Sequence, residues 1–275
     1  MLEVNLFDRE FIHTENLLGY ITCSDILKPK NIKWINGKSE FNGITVFTDR
    51  YIDYDFDLVK SDLKIFWLLE PRAVRPYGYS KITQLEDKFD YILTYDSELL
   101  QRSKKYIKYV VGQSRIYEPK IYDKTKMFSM IASNKQMTEG HRFRHEISKM
   151  LSEKHNIDMW GSGYKPFDSK IPPLSDYYFT VSVMNSKVDN FFTEVIVDNF
   201  MLGTIPIFWG CPNINEYFDD RGIITFNTVS ELDEILSNLT INDYISRIEF
   251  IKKNLELSKK YVSTDDIIGD ILQKL

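Results

Sequence analysis

Short apolar runs alternate with amphipathic stretches along most of the chain. The runs are rich in β-branched and aromatic residues, and a short continuous apolar run of this kind is typical of a strand buried in a parallel sheet. The alternation with helical stretches therefore predicts parallel sheets covered by helices. The predicted strands cover residues 43–49, 63–70, 91–96, 107–112, 126–133, 157–163, 177–185, 205–210 and 222–226.

The stretches between the strands carry a helical period. In residues 138–155, Phe143, Ile147 and Leu151 recur every four positions and form one apolar face. The same reasoning places further helices in the first half and at the end of the chain. The predicted helices cover residues 97–106, 138–155, 191–203, 231–239, 245–261 and 265–275.

Helix boundaries are marked by capping residues. Ser97 is a good N-cap for the first predicted helix, and Gly203 suits the C-terminal cap of the helix over 191–203. Thr228 and Glu231 have the T-x-x-E spacing of a capping box. These signals support the boundaries that the apolar spacing indicates.

A polar, weakly periodic segment at residues 113–125 separates two α/β halves. We therefore predict two domains, residues 1–115 and 116–275, with parallel sheets that face a central cleft. Open α/β sheets bind ligands beyond the carboxyl ends of their strands, so the candidate residues are sought there.

Composition narrows the classes of protein. The chain has 275 residues, of which 43% are hydrophobic and 14% aromatic, so a disordered chain is excluded. A net charge of −5 argues against a broad nucleic-acid surface. Cys23 and Cys211 fit neither a disulfide framework nor a CxxC metal pattern and suit small buried positions. The chain lacks a run of 18 apolar residues and a signal-peptide pattern, so we expect a cytoplasmic protein without a transmembrane segment.

The segment LLEPRAVRPYGY carries the first candidate for chemistry. Glu70 ends an apolar strand, and Pro71 takes the chain out of regular structure. A partly desolvated carboxylate at such a position suits a general base. The alternative is a strand-end glutamate that pairs with Arg72 or Arg75.

A second candidate follows the strand that ends at Ser133. The next helix carries Arg142 and Arg144 near its start. Exposed N–H groups at a helix N-terminus and the forked donors of arginine both bind phosphate oxygens. The alternative is a solvated helix face that pairs with Glu139 or Glu146.

Two patterns invite a metal site, and both are weak. His141 and His145 lie four residues apart, but the HExxH motif is absent, which favours a pair on the helix surface. Asp53 and Asp55 form a D-x-D pattern that suits a divalent metal at a sugar-nucleotide diphosphate. Alternating aspartate and aromatic residues also describe an exposed strand edge, which we prefer. We predict no metal site.

The segment over residues 177–218 is the most informative. A strand, a polar loop, a helix and a further buried strand place Asn185 and Glu194 on the same sheet edge. Glu194 lies in the first turn of its helix, where a carboxylate is favourable and its oxygens can accept bonds from ligand hydroxyls. Alone, such a glutamate is more often a helix-start residue.

At this segment the chain resembles a known family. NSKVDNFFTE at 185–194, followed by GTIPIFWGCP at 203–212, resembles the donor-binding signature of the α1,3/α1,4-fucosyltransferases, glycosyltransferase family 10. The short bacterial, viral and phage members are the most similar. The resemblance extends to SNK…TEGHRFR, to GSGY at 161–164 and to LLEPRAV, and it spans roughly residues 42–230.

The resemblance implies a GT-B fold of two Rossmann-like domains, with residues 1–115 on the acceptor side and residues 116–275 binding the nucleotide sugar. It also implies transfer of fucose with inversion, from the donor substrate GDP-fucose to an oligosaccharide or glycan acceptor, with no cofactor and no metal needed for the chemistry. Carried over by motif, Glu70 is the general base, and either Arg142 or Arg144 holds the diphosphate, with helix counting in favour of Arg144. The other implied donor-binding residues are Asn134 and Lys135 at the diphosphate, and Gly161, Gly163, Tyr164, Asn185, Phe191 and Glu194 at the nucleotide and sugar.

Three positions depart from the family pattern. Met184 stands where the family has glutamate, Phe191 where it has tyrosine, and Val195 where it has a lysine that holds the diphosphate. One lost charge-assisted contact at a phosphate is worth about 1.5–3 kcal/mol. The departures leave two alternatives open, a different nucleotide-sugar donor or a non-catalytic relative that binds nucleotide or glycan. The cations that could compensate are Lys135, Arg142, Arg144, Lys165, Lys170 and Lys187.

Overall fold

The computed structural model describes residues 1–8 and 29–275, so Cys23 lies outside the described residues. The strands are β1 Leu2–Phe7, β2 Ile32–Asn36, β3 Glu40–Thr48, β4 Lys60–Trp67, β5 Tyr91–Thr94, β6 Tyr106–Lys108, β7 Lys126–Ile131, β8 Asp158–Trp160, β9 Tyr177–Val183, β10 Ile205–Trp209 and β11 Ile224–Thr225. The α-helices are α1 Pro76–Leu85, α2 Ser97–Leu100, α3 Glu139–Lys154, α4 Ile171–Ser175, α5 Glu194–Met201, α6 Val229–Asn238, α7 Ile241–Ile245, α8 Ile248–Ser258 and α9 Thr264–Leu272.

The chain divides into two compact units. The first comprises residues 1–113, 189–191 and 263–275, and the second comprises residues 114–188 and 192–262. The sequence-based division placed all of residues 116–275 together. The structure instead groups two C-terminal segments with the first unit.

The first unit is built on a six-stranded parallel sheet in the order β2-β1-β3-β4-β5-β6. On one side of β3 and β4, the rings of Phe47, Phe56, Phe66 and Phe89 pack together, mostly edge to face, with ring centroids 4.8–6.2 Å apart. The aromatic-rich runs of the sequence thus form the core beneath the ends of β3 and β4.

The last helix, α9, belongs to the first unit because its acidic first turn binds β2 and the residues before it. Trp34 Nε1 donates to Asp265 Oδ1 at 3.0 Å. Asp266 Oδ1 accepts the backbone N–H groups of Lys30 and Asn31 at 2.6 and 3.1 Å. A linear pattern gives no sign of such a long-range attachment.

The second unit is built on a five-stranded parallel sheet in the order β11-β10-β9-β7-β8. The predicted apolar face of α3 is confirmed, since Ile147 and Leu151 are fully buried and the Phe143 ring lies 5.2 Å from Trp209. The carboxyl ends of β7 and β9 lie side by side at the centre of this sheet. Cys211 is also buried in this unit, as expected.

The capping predictions have mixed outcomes. Asp96, not Ser97, is the N-cap of α2, because its carboxylate accepts the Leu99 N–H at 3.0 Å. Gly203 follows α5 with a φ of 69°, as a C-terminal cap requires. Thr228 Oγ1 accepts the Glu231 N–H at 3.1 Å, which confirms the start of α6.

Three elements that the apolar pattern missed lie in the first unit: β1, β2 and α1. In β1 the interior position 5 is occupied by Asn5, whose amide is buried and bonds Thr45 Oγ1 at 3.0 Å. A polar residue at an interior position interrupts the continuous apolar run from which strands were predicted.

None of the helices in the described part of the chain combines the length and the apolar character needed to cross a bilayer.

Candidate functional site

The second unit contains a cavity of about 220 Å³ at the carboxyl ends of β7 and β9. This is the edge at which open parallel sheets bind ligands. The walls come from the ends of both strands, the loop after β8, the segment that leads into α4, and the first turns of α5. The lining residues are Ile131–Ser133, Arg144, Gly161, Ser162, Phe167, Lys170, Leu174, Thr180–Val183, Glu194, Val195 and Asn199.

Gly161 closes one wall of this cavity. Its φ is +110°, and a Cβ atom at this position would overlap the carbonyl oxygen of Ala132 at the end of β7. Glycine is required here so that the loop after β8 can lie against β7. Gly163 and Tyr164 are exposed in the same loop and do not line the cavity.

Arg144 reaches the cavity from α3. Its Nε donates to the Val183 carbonyl at 2.8 Å, which fixes the guanidinium at the end of β9. Burial lowers the pKa of Arg144 to about 10, against the opposing charge of Glu194, so the group stays protonated at neutral pH. The other N–H groups of the guanidinium suit an anionic ligand.

An ion cluster lies at the start of α5. Lys170 Nζ is 3.0 Å from Asp198 Oδ2 and 3.5 Å from Glu194 Oε1. Lys170 is 12% exposed, Glu194 22% and Asp198 0%, so the charges are poorly screened by water. The cluster places one cation between two carboxylates, and Lys170 and Glu194 line the cavity.

The charges within this cluster set the protonation of each member. Burial would raise the pKa of Glu194, but the charges of Lys170 and Arg115 outweigh it and hold the pKa below its usual value. Burial raises the pKa of Asp198, against the charge of Lys170. Glu194 is therefore an ionised acceptor for hydroxyl groups, and its ionisation depends on Lys170.

Asp198 also fastens α5 to the first residues of the second unit. Its Oδ1 accepts bonds from Ser114 Oγ at 2.7 Å and from the Arg115 backbone N–H at 2.8 Å. The sequence analysis missed Asp198 and left Lys170 as one of six candidate cations. The spacing of Asp198, four residues after Glu194 on one helix, was a usable signal, because such residues share a helix face.

Val195 lines the cavity beside Glu194, so this wall carries no charge at the position where the resembled family has lysine. The two cations among the lining residues are Arg144 and Lys170. Both come from elements other than α5, and both lie near Glu194, whose charge acts on each of them.

Other residues expected at the donor lie outside the cavity. Arg142 is exposed on α3, and Asn134 and Lys135 are exposed in the loop before it. The structure therefore brings Arg144, and not Arg142, to the carboxyl ends of the strands.

Asn185 and Phe191 also lie apart from the cavity lining. The Asn185 carbonyl accepts the Gly140 N–H at 3.1 Å, so this residue fixes the start of α3, and its buried Oδ1 has no partner among the described residues. Phe191 is buried in the first unit, with its ring 4.8 Å from that of Tyr95. It precedes α5, which begins at Glu194 rather than at 191 as predicted.

Glu70 is half-buried in the first unit, just beyond the end of β4. Its backbone N–H donates to Asp49 Oδ2 at 3.0 Å, and its carbonyl accepts the Tyr79 hydroxyl at 2.9 Å. Arg72, an alternative partner in the sequence analysis, forms ion pairs with Asp96 and Glu98, each at 2.9 Å.

The residues of the two weak metal patterns form hydrogen bonds with nearby protein groups. His141 Nδ1 lies 2.8 Å from Thr138 Oγ1, and burial lowers the pKa of His141 to about 4. Asp53 accepts the Tyr77 hydroxyl at 2.7 Å, and Asp55 caps a short helical turn. Across residues 1–8 and 29–275, no group of three or more His, Cys, Asp or Glu side chains could hold a metal ion.

Comparison with known proteins agrees with the resemblance. The family model described as glycosyltransferase family 10 (fucosyltransferase), C-terminal part, matches residues 121–254. The chain is similar to the alpha-(1,3)-fucosyltransferase FucT of Helicobacter pylori, with 30% identity over 88 residues. That match covers 32% of this chain and 17% of the H. pylori protein.

Solved structures resemble most or nearly all of the chain. A crystal structure of alpha1,3-fucosyltransferase with GDP-fucose has a TM-score of 0.59 at 16% identity, covering 99% of this chain and 89% of the other. Anabaena Alr3699/HepE in complex with UDP-glucose has a TM-score of 0.60 at 10% identity, covering 84% and 79%. With two parallel-sheet α/β units, this likeness confirms the predicted GT-B fold class.

Proposed function

Because residues 121–254 match the family model of glycosyltransferase family 10 (fucosyltransferase), we propose that this chain is an inverting glycosyltransferase. Its donor would be GDP-fucose and its acceptor a hydroxyl group of an oligosaccharide or other glycan. The observation that carries this proposal is the cavity of the second unit, where Arg144, Lys170 and Glu194 converge. The likeness to an alpha1,3-fucosyltransferase with GDP-fucose supports the choice of donor.

We assign the diphosphate of the donor to Arg144 and Lys170. In glycosyl transfer the bond between the anomeric carbon and the phosphate oxygen breaks, and the nucleoside diphosphate leaves with the electron pair. Positive groups fixed where this charge develops lower the barrier. Arg144 is fixed by the Val183 carbonyl and Lys170 by Asp198, so neither has to reorganise during the reaction.

Glu194 would bind hydroxyl groups of the donor. Its carboxylate is kept ionised by Lys170 and Arg115, and a carboxylate can accept two hydroxyl hydrogen bonds. Gly161 would let the donor approach the backbone at the end of β7, where a larger residue would not fit. Asn185 would act indirectly, through the start of α3.

Glu70 would be the general base. It would take the proton of the acceptor hydroxyl while that oxygen forms its bond to the anomeric carbon and the diphosphate departs. A single displacement of this kind inverts the configuration at that carbon. We propose that the reaction uses no cofactor and no metal, and chelator-insensitive turnover of the purified protein would support that part.

The direct test is release of GDP from GDP-fucose by the purified chain in the presence of a glycan library. Glu70→Gln should reduce turnover by about 10²- to 10⁴-fold, the usual contribution of a general base. Asp87→Asn, a change of an exposed acid in the same unit, is the matched control. Turnover that survives Glu70→Gln would show that another group accepts the proton.

Donor binding can be tested separately by calorimetry with GDP. Arg144→Ala should weaken GDP binding by about 10- to 100-fold, because it removes a charge-assisted contact worth roughly 1.5–3 kcal/mol. Lys149→Ala, at an exposed position of the same helix, should bind GDP as the unchanged protein does. A loss with Arg142→Ala instead of Arg144→Ala would reverse the assignment.

A second candidate is the same reaction with another nucleotide sugar. Val195 in the cavity wall favours this candidate, because the wall has no cation at that position and the cavity could bind a different sugar. A panel of GDP- and UDP-sugars in the same release assay separates the two. Nucleotide binding without turnover of any donor would identify a non-catalytic relative.

A further inference from the structure

Buried side chains from several elements bind the backbone at Glu70 and at the two residues before it. Three tyrosine hydroxyls donate to three successive carbonyl oxygens beyond β4. The donors and acceptors are Tyr109 to Leu68 at 2.6 Å, Tyr95 to Leu69 at 3.2 Å and Tyr79 to Glu70 at 2.9 Å. The tyrosines come from α1 and from the residues just after β5 and β6, and each is at most 2% exposed.

Asp49 completes this frame from the end of β3. One of its oxygens, Oδ2, accepts the backbone N–H groups of Leu69 and Glu70 at 3.2 and 3.0 Å. Asp49 is 3% exposed, and its other oxygen, Oδ1, is buried without a hydrogen-bond partner among the described residues. Leu68 is the last of these residues whose N–H bonds a neighbouring strand, at the Leu93 carbonyl, and side chains bind the N–H groups of Leu69 and Glu70.

A buried carboxylate at this position lowers the stability of the fold. A buried anion near a second carboxylate is disfavoured, and an unpartnered buried oxygen adds to the cost. Burial raises the pKa of Asp49 to about 6, and the charge of Glu70 acts in the same direction. The two backbone N–H groups and the charge of Arg75 oppose the rise, and the Tyr79 and Tyr109 hydroxyls also lie within range of this carboxyl.

We propose that Asp49 is a positioning residue for Glu70, which it fixes together with Tyr79, Tyr95 and Tyr109. The inference rests on the proposed role of Glu70 as general base. A base must lie within hydrogen-bond reach of the proton it removes, and a displacement of about 1 Å can reduce the rate by about 10²-fold. A frame that grips three consecutive residues restricts that displacement.

The inference separates turnover from donor binding. The donor is assigned to the second unit, so a change at Asp49 should lower kcat and leave the affinity for GDP unchanged. Asp49→Asn keeps one oxygen for the two N–H groups and removes the charge. It should reduce kcat by about 10- to 100-fold. The ionisation near pH 6 that Asp49 contributes should also disappear from the pH profile of kcat.

The controls come from the same sheet. Asp90 accepts the Lys64 N–H at 2.7 Å in the middle of β4, away from Glu70. Asp90→Asn therefore removes a similar charge from the same strand and should change neither kcat nor its pH profile. Tyr95→Phe should reduce kcat, whereas Tyr106→Phe, whose hydroxyl donates to Glu86 at 2.8 Å, should not. If Asp49→Asn does not fold, Tyr95→Phe and Tyr79→Phe apply the same test.

The experiment measures GDP release from GDP-fucose between pH 5 and 9, with an active glycan or with water as acceptor. A lower kcat with unchanged GDP affinity and an altered pH profile supports the inference. Unchanged kcat or an unchanged profile in Asp49→Asn, while Glu70→Gln is inactive, overturns it and leaves the proposed function intact. Full activity of Glu70→Gln, or no turnover at all, removes the base assignment and the inference together.

Discussion

Lys170→Met is the substitution that tests the ion cluster most directly. It removes the cation between Glu194 and Asp198 and leaves both carboxylates without it. Removal of one partner of a buried ion pair costs about 3–5 kcal/mol. We expect the lower end, about 3 kcal/mol, because Glu194 keeps some exposure and the charge of Arg115 acts on it as well.

The loss of stability in Lys170→Met should depend on pH. Burial and the charge of Glu194 raise the pKa of Asp198, and Lys170 opposes that rise. Without Lys170, the pKa of Asp198 in the folded protein rises further above its value in the unfolded chain. The folded protein therefore binds the Asp198 proton more tightly than the unfolded chain does. Such a group stabilises the fold at low pH and loses that contribution as the pH rises through the folded-state pKa. The loss of stability in Lys170→Met should therefore be smaller at pH 5 than at pH 8.

Two measurements follow from this reasoning. At pH 8 the melting temperature should fall by about 6–12 °C, at roughly 2–4 °C per kcal/mol for a protein of this size. Calorimetry should show GDP binding weaker by about 10- to 100-fold, since a charge-assisted contact to the diphosphate is lost.

A double variant separates stability from binding. Lys170→Met with Asp198→Asn removes one cation and one anion, and the new amide can still accept the bonds from Ser114 and Arg115. The double variant should recover most of the melting temperature and none of the GDP affinity. An equal stability deficit at pH 5 and pH 8, or wild-type affinity in Lys170→Met, would refute the reasoning.

Three further predictions concern stability. Gly161→Ala should lower the free energy of unfolding by about 2–3 kcal/mol, through overlap with Ala132 and a positive φ, whereas Gly163→Ala, with φ +91° and open space around it, should cost about 1 kcal/mol in the same denaturant titration. Burial lowers the pKa of Lys124 to about 7, so the unfolded chain binds more protons above that pH and stability should rise between pH 7 and 10; Lys124→Met should abolish the rise in thermal melts. Asp96→Ala should cost about 1 kcal/mol or more in thermal melts, because it removes the N-cap of α2, and unchanged stability would refute this role.

The sequence predicted the second unit better than the first. Its strands are continuous apolar runs, and α3 has a regular apolar face in Phe143, Ile147 and Leu151. In the first unit, Asn5 interrupts the pattern of β1, and α1 begins at Pro76 and contains Gly78, which weakens its helical signal. The pattern of apolar residues predicts a buried strand or helix only where the interior positions of that element are apolar.

Within the candidate site, the residues found from the sequence are those whose role depends on local structure. Gly161 follows a strand, and Glu194 starts a helix. The partners of these residues depend on tertiary contacts instead. Lys170 pairs with Asp198, which lies far from it in the chain, and Asp49 binds the backbone of Glu70, 21 positions away. A charge or a carboxyl at such a position looks like an ordinary surface residue until the fold brings its partner to it.

The same distinction bears on Val195. Considered alone, the family motif suggests that Val195 removes a diphosphate contact, because the motif places the positive charge at this one position of the chain. A bound diphosphate responds to the position of charge in space, and a cation from another element can supply it. Lys170 lines the same cavity as Val195 and lies 3.5 Å from the adjacent Glu194. Since Asp198 on the same helix holds Lys170 in place, the helix that lacks a cation of its own still has one fixed beside it.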